Sequence, residues 1–199
     1  MTRKSFLMVV LFLFPTFWQA LAIAEDAKSD FRKTKWGMTE AAVKATESSA
    51  PTKEQAKGSK QIVVYKDTVS GLPCYVVYIF LNDKLVRTKY IATVEHTNKA
   101  ACLSDFEVLA SALREKYGNP KSDDSFWSND LYKENPDEWG MAVAVGHLSK
   151  YATWETDTTK IVLALRGDNF EIDLEIEYAS RELAPLEDKA DKAEEQRKL

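Results

Sequence analysis

The run Pro73-Cys74-Tyr75-Val76-Val77-Tyr78-Ile79-Phe80-Leu81 decides how this chain is built. Apolar side chains fall on both alternating sets of positions, as in a central strand covered on both faces. Asn82-Asp83 follows. Both residues tolerate the positive φ of a type I′ turn, which predicts a tight hairpin with a return strand over residues 84–94. That turn sets Leu81 opposite Lys84 and Cys74 opposite Ile91.

Reading outward toward the N-terminus, residues 61–67 (QIVVYKD) form a strand that ends at the Ser70-Gly71 turn, preceded by a polar loop over 52–60. Thr39 is placed to cap a short helix opened by Glu40 and ending near Ser48. Toward the C-terminus, Ser104-Asp105-Phe106-Glu107 reads as a capping box with Ser104 as N-cap. The helix it opens carries Phe106, Leu109, Ala110, Leu113 and Tyr117 on one face and stops at Gly118 and Pro120. Residues 139–148 (WGMAVAVGHL) are Ala-rich and are expected to be helical, a strand over 141–145 being the alternative. Three strands follow, over 151–155, 160–166 and 170–178, the last two joined at Gly167-Asp168. A mixed-charge tail starts at Arg181, either a solvated helix or disordered.

Trp36-Gly37-Met38 and Trp139-Gly140-Met141 echo each other, and each precedes a short helix and strands. The fold class expected is therefore α+β, antiparallel sheets with helices packed on one face, and the echo allows two αβββ halves. The divisions expected are a signal segment over 1–24, a first αβββα half over 25–120, a second half over 121–180 with a three-stranded antiparallel segment, and a charged tail over 181–199.

The first segment is an address. Arg3 and Lys4 precede an apolar run, residues 6–14, broken at Pro15, and Ala22-Ile23-Ala24 supplies a small-x-small cleavage site. Cleavage after Ala24 places the protein in the periplasm or outside the cell, and the mature chain retains no stable membrane span. The alternative is a retained anchor, which Pro15, Thr16 and Gln19 weaken.

Composition narrows the chemistry. Of 199 residues, 27 are Lys or Arg, 31 are Asp or Glu and 2 are His, for a formal charge of −4, with 45% hydrophobic residues. This is a globular composition. The acidic balance speaks against a nucleic-acid partner. Two His and two Cys leave little for a metal cage, and no H-E-x-x-H, P-loop, G-x-G-x-x-G or G-x-S-x-G is present. No catalytic, metal or cofactor residues are assigned, and no cofactor is expected. In an oxidising compartment Cys74 and Cys102 are expected to form one structural disulfide, worth roughly 3.5 kcal/mol on the chain-entropy model.

Two constellations remain. Residues 170–178 alternate strictly, so Glu171, Asp173, Glu175 and Glu177 share one face of a strand. Read simply, they are the solvated side of a half-buried sheet; read for function, they are a docking surface for a basic segment or cation. With a turn at Gly167-Asp168, Lys160 lies opposite Glu175. The second constellation is aromatic: Trp36, Trp127, Trp139 and Trp154 are candidates to line a groove between the halves and bind a sugar, lipid or peptide.

The order of Trp36-Gly37-Met38-Thr39, a short helix, strands across 75–94 and Lys116-Tyr117-Gly118-Asn119-Pro120 resembles a family of secreted bacterial proteins with Trp-Gly-Met near the mature N-terminus. More distantly, Gly37-Met38-Thr39 before a helix is similar to the small modules of the SmpA/OmlA outer-membrane assembly lipoproteins and to the tandem modules of the β-lactamase inhibitory protein. Those modules bind other proteins, so the resemblance implies protein binding and brings no catalytic residues. The chain departs from the lipoproteins in lacking a lipidated Cys. The expectation is a non-enzymatic secreted or periplasmic binding protein that contacts another protein or an envelope component.

Overall fold

The computed structural model describes residues 29–196. The expected signal segment lies outside them. Eight strands form one antiparallel sheet: β1 (Lys53–Lys57), β2 (Lys60–Val69), β3 (Leu72–Leu81), β4 (Lys84–Ala92), β5 (Ser122–Trp127), β6 (Leu148–Glu155), β7 (Thr159–Asp168) and β8 (Glu171–Ser180). Their order across the sheet is β1-β2-β3-β4-β8-β7-β6-β5. The four helices are α1 (Glu40–Lys44), α2 (Ala101–Tyr117), α3 (Trp139–Ala144) and α4 (Ala184–Gln196).

This corrects the expected fold class. The protein is largely β, and its strands belong to a single sheet rather than to sheets in separate halves. The joint is β4 against β8, with Thr88 opposite Tyr178 and Tyr90 opposite Ile176. A single core then runs across the joint: Val76, Tyr78 and Leu85 share it with Leu163, Trp154 and Ile176, under Val43 of α1, Phe106 and Leu109 of α2 and Val143 of α3. Burying each such large apolar side chain stabilises the fold by roughly 1.5–3 kcal/mol.

Nor are the helices confined to one face. A smaller cluster on the opposite face joins Val77, Ile79, Leu81 and Val86 to Leu183 and to Ala190 of α4. The charged tail is thus a helix with a job: Glu187, only 3% exposed, meets Arg87 at 2.8 Å and Lys60 at 2.8 Å. A buried carboxylate is tolerated here because two cations face it.

The β3–β4 hairpin turns at Asn82 (φ 49°) and Asp83 (φ 58°), as expected, and Leu81 lies opposite Lys84. A bulge between Ile79 and Phe80 moves the register by one, so Cys74 faces Ala92 rather than Ile91. The expected polar loop over 52–60 is instead a short edge strand and turn. Thr39 caps α1 through Ala42 N–H (3.3 Å), although that helix ends at Lys44. α2 begins at Ala101, ahead of the expected box, because Asn98 already accepts from Ala100 N–H through its side chain (3.0 Å) and Ala101 N–H through its carbonyl (3.1 Å). Residues 139–144 are helical as expected, but Leu148 begins β6.

The β7–β8 turn lies two residues past the expected place, at Asn169 (φ 48°) and Phe170 (φ 68°). Gly167 serves packing instead: a Cβ there would lie 2.3 Å from Val143 O at the end of α3. The shift by two preserves the faces but puts Glu175 opposite Ala164, and Glu177 opposite Val162.

Candidate functional site

β8 carries its four acids on the face that α4 partly covers, and the strip divides into two ends. At the α4 end Glu177 meets Arg87 and, at 2.9 Å, Lys89. Glu175 meets Lys89 at 3.2 Å and Arg166 at 3.0 Å. These charges are half-buried and countered. Burial opposes ionisation of Glu177, but the Lys89 ammonium and then Arg87 override it and hold its pKa below the usual glutamate value. Burial likewise opposes the charge on Lys89, and Glu177 overrides it in turn. Toward the β7–β8 turn the compensation fades. Asp173, with a 68% exposed side chain, reaches only Arg166, at 3.8 Å, and Glu171 makes no ion pair among the described residues.

That outer end opens into a cleft of about 930 Å³ between the β7–β8 turn, the 93–99 connection and the start of α2. Glu95, Asp105, Glu171 and Asp173 line it against Lys99 and His96. His96 Nε2 lies 2.5 Å from Asp105 Oδ2, which ties the connection to the helix. Lys99 Nζ donates to Phe170 O (3.4 Å), and Phe170 N–H donates to Ala144 O (2.9 Å). Those bonds hold Phe170 in the left-handed region, where a bulky residue is a rarity, and the residue is 59% exposed at the rim. Tyr75 of β3 also lines the cleft.

The cysteines stand apart from the expected bridge. Cys74 on β3 and Cys102 in the first turn of α2 are both free thiols. Each is packed into the apolar core, which accounts for its burial without a covalent bond. Burial pushes both thiols up to about 11, Asp67 adding to the effect at Cys74 and Asp105 at Cys102. Although Cys102 lines the cleft, this is the reverse of the depressed pKa a nucleophilic thiolate needs. No group of three or more His, Cys, Asp or Glu is placed to hold a metal ion among the described residues.

The four tryptophans lie in three places. Trp154 is a core residue, 2% exposed, whose Nε1–H donates to Gly118 O (2.9 Å). Trp36 donates to Thr159 Oγ1 (2.8 Å) beside the β4–β8 joint. Trp127 and Trp139 pack edge to face, 5.8 Å between ring centres, at the β5 side. No single groove collects them.

Sequence reasoning missed the counter-ions and the rim. Arg87 and Lys89 alternate with Thr88 and Tyr90, a signal for two cations on one strand face that could have been matched to the four acids. Phe170 carried no such signal, because its exposure depends on where the turn falls. No protein-family model, curated protein or solved structure matches the chain. Among the described residues no helix is long and apolar enough to cross a membrane.

Proposed function

We propose that this is a non-catalytic binding protein, secreted or periplasmic, that receives a basic segment of another protein or envelope component in the cleft at the β7–β8 turn. One observation carries the reading: four carboxylates face a cleft that holds one lysine and one histidine, with an exposed aromatic ring at its rim. Such a site attracts Lys and Arg side chains over distance and offers Phe170 for cation–π or apolar contact at close range. Of the four acids on β8, Glu171 and Asp173 are the contact residues, while Glu175 and Glu177 are spent on Lys89 and Arg87. The raised Cys102 thiol supports the non-catalytic part of the reading.

The test is a titration of the mature chain with a fluorescent Arg/Lys-rich peptide and with an acidic peptide of equal length. Binding of the basic peptide alone, weakened at least tenfold by E171K/D173K and by added salt, is expected. Equal binding of both peptides, or binding untouched by E171K/D173K, removes the cleft from the account. Sequencing of the exported protein checks the address: a mature N-terminus at Glu25 is expected, and an intact Met1 in the membrane fraction overturns it.

A further inference from the structure

The two edges of the sheet are built differently. β1 is Lys-Glu-Gln-Ala-Lys, exposed throughout, and its lysines guard the edge against pairing with another chain. β5 is Ser-Asp-Asp-Ser-Phe-Trp, and its second half, Ser125-Phe126-Trp127, carries neither charge nor proline. Phe126 is 65% exposed. β5 pairs only with β6, in an unbroken register from Ser122 opposite Thr153 to Trp127 opposite Leu148. Ser128 N–H donates to His147 O (2.8 Å) in the same register. Even-numbered residues therefore turn their backbone groups to β6, and Asp123, Ser125 and Trp127 turn theirs outward.

We propose that β5 is a dimerisation edge that pairs antiparallel with β5 of a second copy, about a two-fold axis at Ser125. The pattern of outward groups pairs odd residues with odd, so the axis falls on a residue rather than between two. At Asp123 or Asp124 it would oppose two identical carboxylates. At Phe126 it would pair only residues 125–127 of the strand, and at Trp127 it would leave Asp123 to Ser125 without partners in the other strand. At Ser125 all five residues from Asp123 to Trp127 are paired. Asp124 then faces Phe126 of the other copy, Asp123 faces Trp127, and no acid directly opposes an acid. The two Phe126 rings become diagonal neighbours on one face, about 7–8 Å apart at the backbone and within mutual reach. The interface is isologous and closes at two. Five residue pairs make a small interface, so the dimer is weak and concentration-dependent.

Sedimentation of the mature chain over a concentration series, with chemical cross-linking of three variants, decides it. A monomer–dimer equilibrium is expected that F126D weakens at least tenfold and that S125P abolishes, since Ser125 N–H makes no bond to β6. The axis brings the two copies of residue 125 to about 5.5 Å, within disulfide range. S125C should therefore link covalently under mild oxidation, while S122C should not. Added salt should tighten the dimer by screening the two Asp124 carboxylates, which lie diagonal to each other. A monomer at every concentration with no S125C link overturns the proposal, as does a dimer indifferent to F126D. A series of growing oligomers weakened by salt would mean that β5 pairs with the lysine-bearing β1 of the next copy, and also overturns the two-fold.

Discussion

Trp36-Gly37-Met38 and Trp139-Gly140-Met141 are the same three residues put to different physical use. The first lies ahead of α1: Gly37 has φ +81°, and a Cβ there would meet only Leu183 Cδ1, at an ordinary 3.8 Å. The second is the opening turn of α3, and a Cβ on Gly140 would lie 2.3 Å from Ala100 N and 2.5 Å from Ala100 Cα. Glycine is required at 37 for its backbone angle and at 140 for the close approach of two backbones. The tryptophans differ as well. Trp36 reaches across to β7 through Thr159, whereas Trp139 bonds locally to Lys133 O (3.1 Å). An identical tripeptide here marks no common local structure.

The sharpest way to break that comparison is G140A. The methyl group would meet the backbone of Lys99 and Ala100 at the entry to α2, which cannot swing aside like a side chain. We expect a loss of about 3 kcal/mol, the upper part of the range for overpacking, read as a lower midpoint in chemical denaturation. G140N should be worse. A loss below about 1 kcal/mol would mean that α2 and α3 are not held as close as described.

G37A comes next, and differs in kind. The left-handed conformation costs an L-residue about 1–2 kcal/mol, and there is room for the methyl. G37N should recover part of that loss, because Asn visits this region more readily than Ala. Asparagine thus helps at 37 and harms at 140. Equal behaviour of the two substitutions at both sites would erase the distinction.

Local signals in the chain were legible where one interaction decides them. Asn82-Asp83 admits few alternatives to a tight hairpin, Thr39 sits one residue ahead of an acid, and Gly118 ends a clear apolar face. Distant competition was not legible. Gly167-Asp168 is as good a turn by composition as Asn169-Phe170, and only the approach of Val143 O assigns that glycine to packing. The β4–β8 joint has no local signature either, so nothing in the chain said that the runs β1–β4 and β5–β8 join into one sheet. The site follows the same division. The four acids of β8 could be read from their alternation, but which of them are free depends on Arg87, Lys89 and Arg166 arriving from other strands.

The smallest expected effects concern the two indoles, and they test whether reach across the sheet matters more than local bonding. W36F removes the bond to Thr159 Oγ1, whose residue is 2% exposed. A hydroxyl at such a place loses its donor without water to replace it, so a cost of about 1–2 kcal/mol is expected. W139F removes a bond at an exposed carbonyl that water can satisfy, and should cost no more than about 0.5 kcal/mol. Thr159 also lies 3.2 Å from Thr158 Oγ1, which is a second partner for the orphaned hydroxyl. A double-mutant cycle of W36F with T159V separates the two contributions. A coupling of about 0.5 kcal/mol or more assigns the cost to the indole bond itself. A coupling near zero would mean that Trp36 acts through its ring packing, and the two tryptophans would then differ in burial rather than in reach.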